Sequence, residues 1–416
     1  MGFRFPPFEF RFCFLMLAPA EAEKLIQGAI RVAEVEDCPI ADAHGRVLRA
    51  AIGADRDLPP FDRATMDGYA LRSASVTAGI SEFDVGGVQA AGHAPGALGP
   101  SPGSCIEIMT GAPLPEGADC VVPYEETTRL GATMRLVAGR PLPAGNAVHR
   151  RGTDRRAGEI IVPEGTRLGG REIAVAAACG RPRLCVSRRP TIAVVATGDE
   201  LVEIDAAPEP HQIRRSNDTA LRAALAQAGY PGADRHRVPD VQPEMEDLLR
   251  RLLGDYDVVI LTGGVSKGKF DLLPAELERQ RVRRIFHGVA QRPGKPLWFG
   301  VGARMQLVFA LPGNPVSSYT CLHRYVIPAL DASAGLAPPP PRVAALSAAF
   351  RFKPKLTCFL PVALAAGPRG EPLAAPVPGN TSGDFAGLVG TDGFVELPAG
   401  DDEFPAGTLV RYWPWA

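Results

Sequence analysis

The sequence is short of the features that most directly announce a function. Its eight cysteines stand at positions 13, 38, 105, 120, 179, 185, 321 and 358 with no C-x-x-C pair among them, so neither a disulfide scaffold nor a zinc site is indicated. Scattered single thiols fit a reducing compartment, and a cytoplasmic location is expected. None of the seven histidines falls in an H-E-x-x-H arrangement. No window approaches the length of a membrane-spanning helix. A net charge of -1 supplies no global field for nucleic acid or an acidic membrane. What remains is a folded chain of 416 residues, 46% hydrophobic and 22% charged, too long for a single core. Its 45 glycines and 41 prolines are spread along the chain rather than gathered into a tract, which predicts many short strands and tight turns beside an α/β part.

The stretch that organises the rest is DVVILTGGVSKGKFD at 257–271. Val258 to Leu261 form an apolar run without alternation, as in a parallel strand buried on both faces. Gly263 and Gly264 then allow positive φ and close approach of backbone N–H groups, with Ser266, Lys267, Lys269 and Asp271 beside them before the helical LLPAELERQ. A carboxyl strand end leading into a helix is where open α/β sheets bind ligands. Two readings stand side by side: a phosphate-type anion site, and an ordinary glycine turn.

Residues 1–15 (MGFRFPPFEFRFCFL) interleave aromatics with charges and read as a disordered or extraneous leader, with Met16 as an alternative start. An amphipathic helix is expected from Ala20 to about Val35. The loop DLPPFDRATMDGYA at 57–70 carries Asp62 and Asp67 between apolar anchors; it is either turn punctuation or a carboxylate pair able to hold Mg²⁺. Short strands follow through residue 145, one of them closed by IMTGAP with Thr110, a hydroxyl that serves a turn equally well. The basic run HRRGTDRRAG surrounds Asp154, as a solvated loop or an anion contact.

From Pro190 the pattern turns to β-α-β-α-β, which predicts a parallel sheet with right-handed crossovers. Asp199, Glu200, Asp240 and Asp271 fall at strand ends, individually as caps and collectively around one crevice; Asn217 or Asp218 is the expected cap of the next helix. Four acids beside glycine turns suggest a metal bridging a phosphorylated ligand. QRPGKP places Arg292 and Lys295 on a tight turn, and LPGNPVSS with Asn314, Ser317 and Ser318 leads to a helix from Tyr319 to Leu330. The prolines of 336–341 are a linker, and 343–415 reads as a small β barrel or sandwich whose PGNTSG loop carries Ser382.

In this order, PPFDRATMDGYA, IMTGAP, RRGTD, TGDEL, LTGGVSKGKFD, RPGKP and LPGNPVSS resemble the molybdopterin molybdotransferase family, the MoeA proteins and the E domain of gephyrin, over nearly the whole chain from Met16. The resemblance implies a multidomain α/β plus β protein. Its parts would be a leader (1–15), an elongated, discontinuous α+β N-terminal domain (16–57 and 146–188), an inserted β-rich module (58–145), a three-layer, parallel-rich, MogA-like molybdopterin-binding domain (189–335), a proline linker (336–342) and a C-terminal barrel (343–416). It implies a homodimer that inserts molybdate into the dithiolene of adenylylated molybdopterin with Mg²⁺-dependent release of AMP. Asp67, Thr110, Asp154, Glu200, Asp240 and Asp271 would be catalytic. Glu200, Asp240 and Asp271 would hold the metal. Gly263, Gly264, Ser266, Asn314, Arg292, Lys295, Ser317 and Ser382 would bind the substrates. Since Asp67 and Thr110 come from the N-terminal half, one subunit is expected to lend its loop to its partner's crevice. A molybdopterin adenylyltransferase and maturation proteins of molybdoenzymes are candidate partners, with no nucleic acid and no membrane. The chain departs from the pattern at Gly288 and Arg292, where lysines are found, at Pro361, where some members carry an arginine that Lys353 or Lys355 would replace, and at Arg215, where an acid is common. Two other activities fit the same fold: adenylylation of molybdopterin with ATP, and a scaffold without catalysis.

Overall fold

The computed structural model describes residues 16–137, 141–238, 242–265 and 272–415. The chain forms two compact units, one of Ala50–Glu164 with Gly170–Leu184, the other of Met1–Arg49, Gly165–Gly169 and Cys185–Ala416.

In the larger unit the apolar runs become the centre of a six-stranded sheet. Its spatial order is Asp234–Val238, Ile192–Thr197, Val258–Thr262, Leu307–Leu311, Trp298–Val301 and Arg283–His287. The first four strands are parallel, and the last two close one edge antiparallel. Every residue of Ile192–Thr197 and Val258–Thr262 is buried. Successive side chains of a strand point to opposite faces, so an uninterrupted apolar run must have both faces covered. Ile192, Val194, Ile260 and Phe309 accordingly join one core, and Ala193, Val195, Val259 and Val308 the other. Each of the valine, isoleucine and phenylalanine side chains among them contributes about 1.5–3 kcal/mol of burial.

Beyond the proline linker, Arg342–Leu346, Thr357–Ala366, Pro372–Pro376, Gly393–Leu397 and Leu409–Pro414 form a five-stranded barrel, closed because Thr357–Ala366 pairs with both Pro372–Pro376 and Gly393–Leu397. Of the barrel and sandwich alternatives, closure selects the barrel. Gly393 makes that closure possible: a Cβ there would stand 2.2 Å from the Trp413 carbonyl oxygen. A further short strand, Gln291–Arg292, is contributed by the RPGKP turn and pairs in parallel with Thr357–Cys358.

Three local expectations are corrected. The first helix is Pro19–Gln27, not a helix to Val35; Gly28 ends it, and Val35 already opens the strand Val35–Pro39. The helix Asn217–Gln227 follows Ser216 with no side-chain cap, because the buried Asp218 carboxylate is taken by Arg215 at 2.5 Å and Arg235 at 2.8 Å. Tyr319 does not open its helix: Pro315–Cys321 is already helical, continued by a π turn at Leu322–Val326 and by Ile327–Ser333. Pro315 suits the first helical position, where its fixed φ helps and its missing N–H costs nothing.

The smaller unit holds a six-stranded mixed sheet, ordered Cys120–Pro123, Gly68–Leu71, Ser104–Ile108, Glu82–Gln89, Thr133–Leu136 and Thr127–Leu130, with the helix Gly170–Ala178. Gly68 of the Asp-Gly pair is dictated by strand packing, since a Cβ would lie 1.9 Å from the Val122 carbonyl oxygen. Among the described residues no helix is long and apolar enough to cross a membrane.

Candidate functional site

The carboxyl ends of Ile192–Thr197 and Val258–Thr262 open into a cavity of about 650 Å³. Gly198, Glu200, Gly263, Gly264, Ser216 and Asn217 line it. Gly263 has a φ of +96°, and a Cβ there would fall 2.6 Å from the Thr197 hydroxyl and 2.9 Å from its carbonyl oxygen. Two strand ends are thereby drawn together, and the Thr197 hydroxyl bridges them by donating to the Thr262 carbonyl at 3.1 Å. Across the cavity, the Asn217 side-chain amide donates to the Gly313 carbonyl at 2.7 Å, tying a helix start to the LPGNP turn. The Glu200 carboxylate folds back over Gly198, where a Cβ would meet its oxygens at 2.5 and 2.7 Å. Arg215 also lines this cavity but is only 7% exposed. Its guanidinium is occupied by Glu203, Asp218 and the His236 carbonyl, so its charge is spent inside the protein rather than on a ligand.

A second cavity of about 550 Å³ adjoins the first and shares Pro296, Pro312 and Asn314 with it. Arg292, Lys295, Ser317 and Ser382 line it, joined by Lys353 from the barrel. The barrel loop is fastened to the helix start at two points: the Asn314 side-chain amide donates to the Ser382 hydroxyl at 2.6 Å, and the Val316 N–H to the Ser382 carbonyl at 3.1 Å. Among the described residues Arg292, Lys295 and Lys353 have no carboxylate partner, whereas Arg351 is paired with Glu403. The one acid among the described residues of the lining, Asp384, is bound by the N–H groups of Asn380 and Gly387. Burial pushes the Cys358 thiol up to about 12, against the opposing pull of Arg292, so it stays neutral. The second cavity is therefore electropositive and lined with hydroxyls, a match for an oxyanion.

In the smaller unit the three motifs of the N-terminal half assemble on one another. Asp67 Oδ1 accepts the Thr110 N–H at 2.6 Å and the Thr110 hydroxyl at 2.8 Å, and these bonds hold its carboxyl below the usual range. Asp62 accepts from Arg150 at 2.7 Å and from the Arg151 N–H at 2.8 Å. Asp154 lies 2.9 Å from His149 Nε2, and its own N–H donates to the Leu58 carbonyl. Phe61 and Met66 remain 42% and 44% exposed beside Asp67.

The structure thus gathers Glu200, Gly263, Gly264 and Asn314 at the first cavity and Arg292, Lys295, Ser317 and Ser382 at the second. Asp67, Thr110 and Asp154 belong to the smaller unit. Asp240, Asp271 and Ser266 lie outside the described residues, as do Lys267 and Lys269. Of the departures, Pro361 lines the second cavity and so does Lys353, while Lys355 is not part of the lining. Gly288 has a φ of +96°, a conformation that disfavours a lysine at this position. Sequence reading passed over Gln291 and Tyr325, which are buried behind the RPGKP turn; the only hint is a glutamine, the residue before Arg292, set among apolar neighbours.

Family models cover the chain in three consecutive parts. "MoeA N-terminal region (domain I and II)" matches residues 17–180, "Probable molybdopterin binding domain" 193–332, and "MoeA C-terminal region (domain IV)" 343–415. The molybdopterin molybdenumtransferase of a Synechocystis strain is 38% identical over 96% of this chain and 100% of its own length. That of Bacillus subtilis is 30% identical over 92% of this chain and 93% of its own. Among solved structures, a molybdopterin biosynthesis MoeA protein of Pyrococcus horikoshii matches with a TM-score of 0.78 and 30% identity, covering 96% of this chain and 99% of that one.

Proposed function

The chain belongs to the MoeA family of molybdopterin molybdenumtransferases, and we propose that its two adjoining cavities hold the two substrates of molybdenum insertion side by side. It is a transferase of molybdenum cofactor biosynthesis. The observation that carries the proposal is the pairing of a glycine-lined cavity at strand ends with an electropositive, hydroxyl-lined one across the shared Asn314.

In this reading the first cavity takes the adenylylated molybdopterin, with Gly264 offering a backbone N–H to its phosphates, while Gly263, whose own N–H is donated to the Leu311 carbonyl, allows the close approach of the turn. Arg292, Lys295, Ser317 and Ser382 receive molybdate next to the dithiolene, so that the reacting atoms meet without diffusing. Of the two described carboxylates lining the first cavity, Asp218 is taken by Arg215 and Arg235, which leaves Glu200, and one or two carboxylates with phosphate oxygens and water are what Mg²⁺ requires. With Asp240 and Asp271 it would hold Mg²⁺, which offsets the charge that develops as AMP leaves. Asp67 and Thr110 act from a second copy of the chain, whose exposed Phe61 and Met66 anchor the loop against its partner. A cytoplasmic setting agrees with the described cysteines, all of which are free thiols.

Incubating the purified chain with adenylylated molybdopterin, molybdate and Mg²⁺ tests this reading. Molybdenum transfer coupled to AMP release is the expected result. Adenylylation of molybdopterin at the expense of ATP would replace it with the activity of single-domain relatives, and inertness in both assays would leave a scaffold.

A further inference from the structure

Resting on the assignment of the second cavity to molybdate, we propose that Gln291 and Tyr325 are positioning residues that fix the RPGKP turn and thereby set the cavity's affinity and selectivity for tetrahedral oxyanions. Neither touches the bound ion through its polar group; both act through the loop that carries Arg292 and Lys295.

A tight turn bearing two unpaired cations is electrostatically unfavourable on its own, since the charges repel and nothing within the turn offsets them. This one is held from behind. The Gln291 side chain, 0% exposed, donates from Nε2 to the Gly294 carbonyl at 3.2 Å and to Cys321 Sγ at 3.5 Å. Its Oε1 accepts the hydroxyl of Tyr325, itself 2% exposed. Gly294 sits at φ +91°, and a Cβ there would lie 2.5 Å from Cys321 Sγ and 2.6 Å from Gln291 Nε2, so the backbone is seated directly on this pair. From the front, Gln291 and Arg292 are paired with the barrel at Thr357 and Cys358, and the Val289 N–H donates to the Lys295 carbonyl at 2.9 Å.

The buried amide therefore spans the turn from within, and one phenol fixes the amide's orientation. Such a chain of bonds places charge before the ligand arrives, which strengthens binding by removing the cost of ordering the loop. It also fixes the spacing of Arg292 and Lys295, so that a smaller tetrahedral dianion such as sulfate is held less well than molybdate.

The test uses Gln291→Met, Tyr325→Phe and the double variant of the full-length protein. Four quantities are measured by equilibrium binding and thermal unfolding: affinity for molybdate, affinity for sulfate, affinity for AMP, and stability. Each single variant should weaken molybdate about tenfold and narrow the molybdate-to-sulfate ratio, while AMP binding at the first cavity stays within twofold. In the double variant neither member of the pair is left orphaned, and the Gly294 carbonyl keeps the Leu297 N–H at 3.2 Å, so stability should recover relative to Tyr325→Phe. Its molybdate affinity should remain low. Affinity that returns together with stability, or single variants with wild-type molybdate affinity, would overturn the positioning role. A wild-type protein that binds no molybdate would instead remove the assignment of the cavity, a result distinguishable from the other two.

Discussion

Replacing Gly263 by alanine probes the link between the sheet and the first cavity most directly. The residue sits at φ +96°, and placing an L side chain there costs about 1–2 kcal/mol. The new Cβ would lie 2.6 Å from the Thr197 hydroxyl, a clash relieved only if that side chain rotates away. Rotation forfeits its 3.1 Å hydrogen bond to the Thr262 carbonyl, worth about 1 kcal/mol. The remaining 2.9 Å approach is to the Thr197 carbonyl oxygen, which belongs to a central strand and cannot swing aside. Together these give a destabilisation of about 3 kcal/mol. In a Thr197→Ala background the hydroxyl contribution is already gone, and the further cost of Gly263→Ala should fall to about 2 kcal/mol. Urea unfolding followed by tryptophan fluorescence reads this cleanly, because all three tryptophans (298, 413 and 415) lie in the larger unit. The variant should also lose at least about tenfold in AMP affinity, the equivalent of ~1.4 kcal/mol. A penalty below about 0.5 kcal/mol, or the same penalty in both backgrounds, would refute the argument.

Lys295→Ala should weaken molybdate binding by about tenfold or more, in line with ~1.5–3 kcal/mol for a charge-assisted bond, and calorimetric titration of the anion checks it. Equal mixtures of Asp67→Ala and Lys295→Ala chains, each inactive alone, should regain about a quarter of wild-type turnover if the site is shared, since half of the dimers then hold one intact site of two; no recovery after subunit exchange would locate the whole site within one chain. Burial holds His323 down to about 4, so the unfolded chain binds its proton first as pH falls. Stability from this group is complete above pH 6.5 and declines by up to about 1.4 kcal/mol per pH unit towards pH 4, a slope that His323→Gln should flatten in unfolding measured across that range. For Asp257, burial opposes ionisation, but Arg188 and Thr191 outweigh it and hold the carboxyl low. Its contribution is present above the ordinary carboxylate range and is lost only as pH drops through the depressed value, so Asp257→Asn should lower stability at pH 6 and converge with wild type in strong acid.

How far the sequence foretold the structure depended on how local the signal was. The runs at Ile192–Thr197 and Val258–Thr262 were legible because burial on both faces leaves no polar position to confuse the pattern. Gly263 and Gly264 were legible because only a few residue types tolerate their backbone. The helix starts at Asn217 and Pro315 were misplaced for a tertiary reason: Asp218 is drawn to Arg215 and Arg235 rather than to its helix, and Asn314 to Ser382. The support of the RPGKP turn was illegible, because Gln291 and Tyr325 are 34 residues apart and become partners only once the sheet and its following helix have packed.

The pairing of Gln291–Arg292 with Thr357–Cys358 carries an implication for dissecting this protein. The proline-rich stretch invites a cut, and a fragment ending there would look complete by length. Yet that fragment would leave two residues with no ladder to join, and its cationic turn would lose one wall. The tail in turn would present Thr357 and Cys358 as an open edge. Modularity read along the chain is not modularity in space: the ribbon passes out of the sheet, borrows a seat in a neighbour not yet synthesised, and returns before that neighbour begins.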